Sequence, residues 1–192
     1  MVEATERKHV EKATINIESK VKGEFTYWKK MIWNSEQPLI MVMANYPIST
    51  DLKGDSLTSM LIRNAIVERN TFGGVIIANL FNKSVKWPSE KALLEASSPD
   101  GIEELVAVAK AADKVIIATG SLTTKYEVAA ARLDELLEQC KISKMGKKLF
   151  WLVDSGGKKV HPLAIRNEPW QFGPVVGSET IPSEIKEAEA NE

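Results

Sequence analysis

Cysteine and histidine are scarce in this 192-residue chain: Cys140 is the one cysteine, and His9 and His161 are the two histidines. A lone thiol excludes an intramolecular disulfide and leaves too few ligands for a cysteine-based zinc site. Two histidines exclude a histidine-rich metal centre, and a Ser-His-Asp arrangement would rest on His161 alone. Nothing gives reason to expect a metal or a cofactor. Long hydrophobic runs are also missing, since stretches such as Leu39 to Ala44 and Val75 to Ala78 fall far short of the roughly 20 residues that span a bilayer. The first residues are charged rather than signal-like, so membrane insertion and secretion are not expected and a reducing cytoplasm suits the chain. There is no phosphate-binding P-loop, no Gly-x-Gly-x-x-Gly after a strand, no His-Glu-x-x-His and no Gly-x-Ser-x-Gly.

Charge of one sign is lacking overall, with a formal net charge of −1. That value hides an asymmetry. Ser178 to Glu192 carry five Glu and one Lys, which leaves 24 basic and 21 acidic residues in the remainder. A mildly basic body is compatible with phosphate contacts from a local patch and does not demand them.

What is present is a core-forming composition, 44% hydrophobic, enough for one domain and no more. Residues 1–12 read as a flexible arm with His9 solvated, 13–168 as a single α/β domain, and 169–192, rich in Gly, Pro and Glu, as an acidic flexible tail. β-branched and aromatic residues around Lys22-Gly23 predict an N-terminal hairpin of Thr14 to Ser19 with Glu24 to Trp33. Continuous apolar runs at Leu39 to Ala44, Val75 to Ala78, Val115 to Ala118 and Leu149 to Val153 look like strands covered on both faces. Helical patterns lie between them: Ser56 to Asn70 with Leu57, Met60, Leu61 and Ala65 on one face; Gly101 to Ala112 with Ile102, Leu105, Val106 and Ala109; Tyr126 to Cys140 with Val128, Leu133, Leu136, Leu137 and Cys140. This alternation predicts right-handed crossovers and a short, mainly parallel central sheet with helices on both faces, a three-layer α/β/α sandwich whose ligands sit beyond the carboxyl ends of the strands.

Each apolar strand runs at once into polar or turn-forming residues: Asn45-Tyr46-Pro47, Asn79-Leu80-Phe81-Asn82, Thr119-Gly120-Ser121 and Asp154-Ser155-Gly156-Gly157. They are expected to share one rim. From spacing alone, loop capping and turn chemistry explain Asn45 and Asn79 better than ligand recognition does. His161, followed by Pro162, falls on an irregular loop after the last strand.

The stretches Ile40 to Pro47, Ile76 to Phe81 and Val160 to Leu163 resemble a bacterial and phage family, domain of unknown function 1643, over about Phe25 to Arg166. Asn79-Leu80-Phe81, Ala112-Asp113, Gly120 and His161-Pro162-Leu163 fit its motifs, whereas Asn45-Tyr46-Pro47-Ile48-Ser49-Thr50 departs from its Asn-Pro-Ser-Thr by inserted residues. The motif order is also similar to the uracil-DNA glycosylase superfamily, whose three-layer fold that likeness implies here. Carried over residue by residue, the likeness implies that Asn45 positions a water, Asn79 bonds a flipped base and His161 stabilises charge on the departing base. Pro162 and Leu163 would then shape a DNA-facing loop. Tyr46, Phe81 or Trp87 could stack on a base, and Lys83, Lys86, Lys158, Lys159 and Arg166 could hold phosphates; core packing and a solvated surface account for these residues equally well. The expected partner is DNA or a nucleotide. The activity implied is excision of a nucleobase, plain or modified, and the alternative is a non-catalytic nucleotide-binding module of a phage or defence protein. Oligomeric state is not legible.

Overall fold

The computed structural model describes residues 14–47 and 55–175, so the 1–12 arm and most of the acidic tail lie outside the described residues. Seven strands and five α-helices are described, in the order β1 (Asn16–Lys22), β2 (Phe25–Ile32), β3 (Leu39–Ala44), α1 (Leu57–Glu68), β4 (Gly74–Asn79), α2 (Glu90–Glu95), α3 (Gly101–Ala109), β5 (Lys114–Ile117), α4 (Leu122–Lys125), α5 (Glu127–Ile142), β6 (Leu149–Val153) and β7 (Gln171–Pro174), with short 3-10 turns at Gly146–Lys148 and Pro162–Ile165. The strands form one sheet in the order β1-β2-β4-β3-β5-β6-β7.

The sheet is mixed rather than mainly parallel. Its four central strands, β4-β3-β5-β6, run parallel, while β1, β2 and β7 join antiparallel. The hairpin does not merely flank the sheet: β2 pairs along β4 from Trp28 opposite Ala78 to Ile32 opposite Gly74, burying Met31 in the core. At the other edge, β7 pairs with β6, so the sheet continues into the segment read from sequence as tail. Arg69, the C-cap of α1, fastens this edge by donating to the Trp170 carbonyl and lying 4.2 Å over the Phe172 ring.

Strand alternation sends side chains to two cores. Met41, Met43, Ile76, Ala78, Val115 and Ile117 meet α3 and α5 through Leu105, Leu133, Leu136 and Cys140. On the other face Ile40, Val42, Val75, Ile77 and Ile116 meet Ile62 and Ile66 of α1, with Ile165 and Trp170. Each such side chain taken fully out of water contributes roughly 1.5–3 kcal/mol before chain entropy is counted. The α3 stripe is buried as expected. In α1 the buried face is Thr58, Ile62 and Ile66, one step round from the expected stripe, and Leu57 and Met60 face solvent. Small Thr58 fits where the helix approaches the strand ends, and the branched Ile side chains fill the sheet face. No helix among the described residues is long and apolar enough to cross a membrane.

One irregularity matters for the site. Val21 pairs with Thr26 and Lys20 with Trp28, so Tyr27 is an extra residue in β2. A bulge puts two successive side chains on one face. Tyr27 accordingly reaches Asp100 at the start of α3, donating its hydroxyl at 2.6 Å, and Trp28 packs on the α3 and α5 core. Thr26, before the bulge, is thereby brought to the same face as Lys29. The Tyr27 hydroxyl and the Lys22 ammonium hold the Asp100 carboxyl down at about 2.

Candidate functional site

A pocket of about 410 Å³ opens at the carboxyl ends of the parallel strands, of the size that takes a small ligand. The sequence-predicted residues Asn45, Tyr46, Asn79, His161 and Leu163 all line it. Asn45 follows β3; its carbonyl accepts the Phe81 N–H at 2.9 Å, while Leu80 donates to Ala44 at 2.9 Å, tying the ends of β3 and β4 together. The Asn45 Oδ1 is shut off from solvent with no partner among the described residues. Asn79 closes β4 and is 7% exposed, and its side-chain amide meets no protein partner among the described residues. An unsatisfied buried polar atom costs about 1–3 kcal/mol, which makes the Asn45 oxygen a group in want of a partner.

His161 begins the Pro162–Ile165 turn, and its Nδ1 accepts the Leu163 N–H at 3.3 Å. Burial pushes its pKa below the ordinary 6.5, so at neutral pH the ring is neutral. With Nδ1 accepting, the proton is assigned to Nε2, and the free edge of the ring is a donor. The loop after β5 permits this placement. Gly120 has φ +58, and a Cβ there would stand 2.8 Å from the His161 Cβ and 2.9 Å from its backbone nitrogen. Only glycine suits both the left-handed backbone and the close approach.

Much of the pocket escaped the sequence. Thr26 and Lys29 come from β2, Ser56, Thr58 and Ser59 from the start of α1, and Thr119, Ser121, Lys125 and Tyr126 from the segment between β5 and α5. Scattered hydroxyls and single lysines carry no spacing signal; of these residues only Thr119 and Ser121 were expected at the rim, from their place directly after an apolar strand. Tyr126 is fixed by donating to the Pro88 carbonyl at 3.0 Å, and the Glu90 carboxylate caps α5 by accepting from Glu127 and Val128 at 2.8 and 3.0 Å. No Asp or Glu among the described residues lines the pocket.

Other predicted residues lie elsewhere. Phe81 is fully buried in the core with Arg132 5.8 Å over its ring, so it offers no free face for stacking. Lys83 pairs with Glu24 at 2.7 Å and covers Phe25. Lys159 sits 3.6 Å over Trp151. Lys86, Trp87 and Lys158 are exposed on loops and are not part of the lining. Arg166 borders a second groove with Leu61, Glu68, Arg69 and Trp170. Cys140 lies on the buried face of α5 with its thiol pushed up to about 11 by desolvation, the reverse of an activated nucleophile.

A family model described as "Protein of unknown function (DUF1643)" matches residues 27–163. The chain belongs to this family. The stretch matched to the DUF1643 model takes in Lys29, Asn45, Asn79, Gly120 and His161, and ends at Leu163, short of Arg166 and β7. No curated protein and no solved structure matches the chain.

Proposed function

We propose that this DUF1643 protein recognises a nucleobase in DNA and cleaves its N-glycosidic bond. On this reading the two-faced helical cover of the sheet is a three-layer α/β/α sandwich of the uracil-DNA glycosylase kind. The observation that carries the reading is the meeting of Asn45, Asn79 and His161, from three separate strand ends, in one pocket that no carboxylate among the described residues lines. The Asn79 amide presents a donor and an acceptor to the edge of a planar heterocycle. The bond breaks with its electron pair going to the base, and the His161 Nε2–H stabilises the negative charge that builds on a base oxygen. A water held at Asn45 then adds to the sugar carbon and releases its proton to the departing base. An Asn amide orients water but is a poor general base, so base departure leads and water capture follows. Tyr46 and Tyr126 supply the aromatic walls that Phe81 does not.

The test is incubation with single-stranded and duplex DNA carrying uracil, hypoxanthine, or hydroxymethylated and glucosylated pyrimidines, followed by alkaline cleavage at abasic sites. Strand breaks at one base, lost in His161→Ala and Asn79→Ala, are the expected result; intact DNA across the panel refutes cleavage. A second reading, binding of a free nucleotide without cleavage, is favoured by one observation: the lysines proposed for DNA, Lys83, Lys86, Lys158 and Lys159, do not line the pocket, whereas Lys29 and Lys125 do.

A further inference from the structure

We propose that the part of the pocket between β2 and the start of α1 is a phosphate subsite, which holds the phosphate of the nucleotide whose base lies against Asn79 and His161. The inference rests on the nucleobase reading for its ligand, but its own grounds are different residues. Helix α1 is 12 residues long, is capped by Ser56 and has no acidic residue in its first turn. The Ser59 N–H is taken by the Ser56 hydroxyl at 3.1 Å and the Met60 N–H by the Ser56 carbonyl at 2.9 Å. The N–H groups of Leu57 and Thr58 meet no acceptor among the described residues, and Ser56, Thr58 and Ser59 all line the pocket. Two open donors at the positive end of a helix make a place for an oxyanion.

A second observation, independent of the helix, points the same way. Thr26 is 6% exposed, lines the pocket, and its Oγ1 has no partner among the described residues. The bulge at Tyr27 brings this hydroxyl to the face that bears Lys29. The Lys29 ammonium bonds Asp55 at 3.0 Å, the residue just before the Ser56 cap, so this face of β2 stands against the start of α1. Asp55 also holds Arg63 at 2.8 Å, and Asp55 itself is not part of the pocket lining. Backbone donors, a buried hydroxyl and an ammonium suit a tetrahedral oxyanion with several acceptor oxygens, which is a phosphate.

The experiment is calorimetric titration of the full chain with deoxynucleosides, their 5′- and 3′-monophosphates, inorganic phosphate, and a short single strand. The monophosphate is expected to bind at least about tenfold tighter than its nucleoside. Leu57→Pro is the diagnostic variant. It deletes one helix donor at a position where proline suits a helix, after a residue already extended at ψ 160, and Leu57 is exposed. In Leu57→Pro, Lys29→Met and Thr26→Val the phosphate advantage should shrink while nucleoside affinity holds. Equal affinity of nucleoside and monophosphate, or an advantage untouched by all three variants, overturns the subsite. No heat with phosphate, any nucleotide or the strand overturns it as well. If nucleosides fail and Asn79→Ala changes nothing, yet inorganic phosphate still binds and Leu57→Pro weakens it, the base reading falls and the subsite stands. A strand that binds far more tightly than every mononucleotide assigns the phosphate to DNA; the reverse assigns it to a free nucleotide.

Discussion

Gly120→Ala probes how tightly the histidine loop is held against the end of β5, and Gly23→Ala is its internal control. The two glycines share the same left-handed backbone, φ +58 and +59, but a Cβ at Gly23 meets nothing within 4 Å. An L-residue held in that conformation costs about 1–2 kcal/mol. Gly23→Ala, at the tip of the β1–β2 hairpin, should show that cost alone. Gly120→Ala adds a clash with the His161 Cβ and backbone nitrogen, and backbone is not a neighbour that swings away. Overpacking of this kind typically costs another 1–3 kcal/mol, so a total of about 2–5 kcal/mol is expected. Urea unfolding followed by tryptophan fluorescence measures both losses, at unchanged slope if the unfolded state is unaffected. A second reading comes from the ring protons of His161, identified by their loss in His161→Ala. If alanine pushes the loop away, the imidazole gains water and its pKa climbs back toward 6.5. Equal destabilisation of the two variants, with the His161 titration unmoved, would refute the argument that Gly120 is required for the close approach.

The His161 shift has a sign for stability. Because its folded pKa lies below the ordinary 6.5, its contribution is complete above that value and is lost as pH falls through the folded pKa; urea midpoints from about pH 8 to about pH 5 should fall less steeply in His161→Gln than in the parent. Thr26→Val removes an unpartnered buried hydroxyl at constant shape and should raise the unfolding free energy by about 1 kcal/mol in the absence of ligand, a gain in stability set against a loss in binding; a drop in midpoint would show that the hydroxyl is satisfied. Arg132→Met should cost about 2 kcal/mol, since the guanidinium donates to the Leu80 carbonyl at 2.6 Å and to Asn82 Oδ1 at 3.2 Å in the turn that follows Asn79. Unchanged thermal unfolding would mean that this turn is held by its backbone bonds alone.

The four apolar runs were legible because strands buried on both faces have few other ways to be written, and all four became central strands. Asn45 and Asn79 were legible as rim residues since parallel strands deliver their ends to one side; His161 was grouped with them only through the family resemblance. Direction was harder to read. Lys83, Lys158 and Lys159 follow strand ends in sequence, but each has nearer business: a carboxylate for Lys83, an aromatic face for Lys159, and for Lys158 a loop closed by its N–H on Asp154 at 2.9 Å. The phase of α1 was misread because Leu57 and Met60 outweigh Thr58 in any hydrophobic count, yet it is Thr58 that turns inward with Ile62 and Ile66. Helices α2 and α4 have six and four residues, too short for a periodic signal, and β7 lies among the prolines and glycines that mark loops. Nothing in the order of residues along β2 announces the bulge at Tyr27, which is visible only against the pairing of β1.

The parallel centre of the sheet also sets when the pocket can exist. Its walls come from segments that follow β3, β4, β5 and β6, and none of these neighbours another until strands far apart in the chain have paired. Helix α5 can form early from its own contacts, and the β1–β2 hairpin can close on its own turn, but neither carries a complete wall. Parallel pairing is the slow, non-local step of such a topology. Binding competence should therefore appear late in refolding, behind the return of helical signal, and a ligand that fits the pocket reports on completed assembly rather than on collapse.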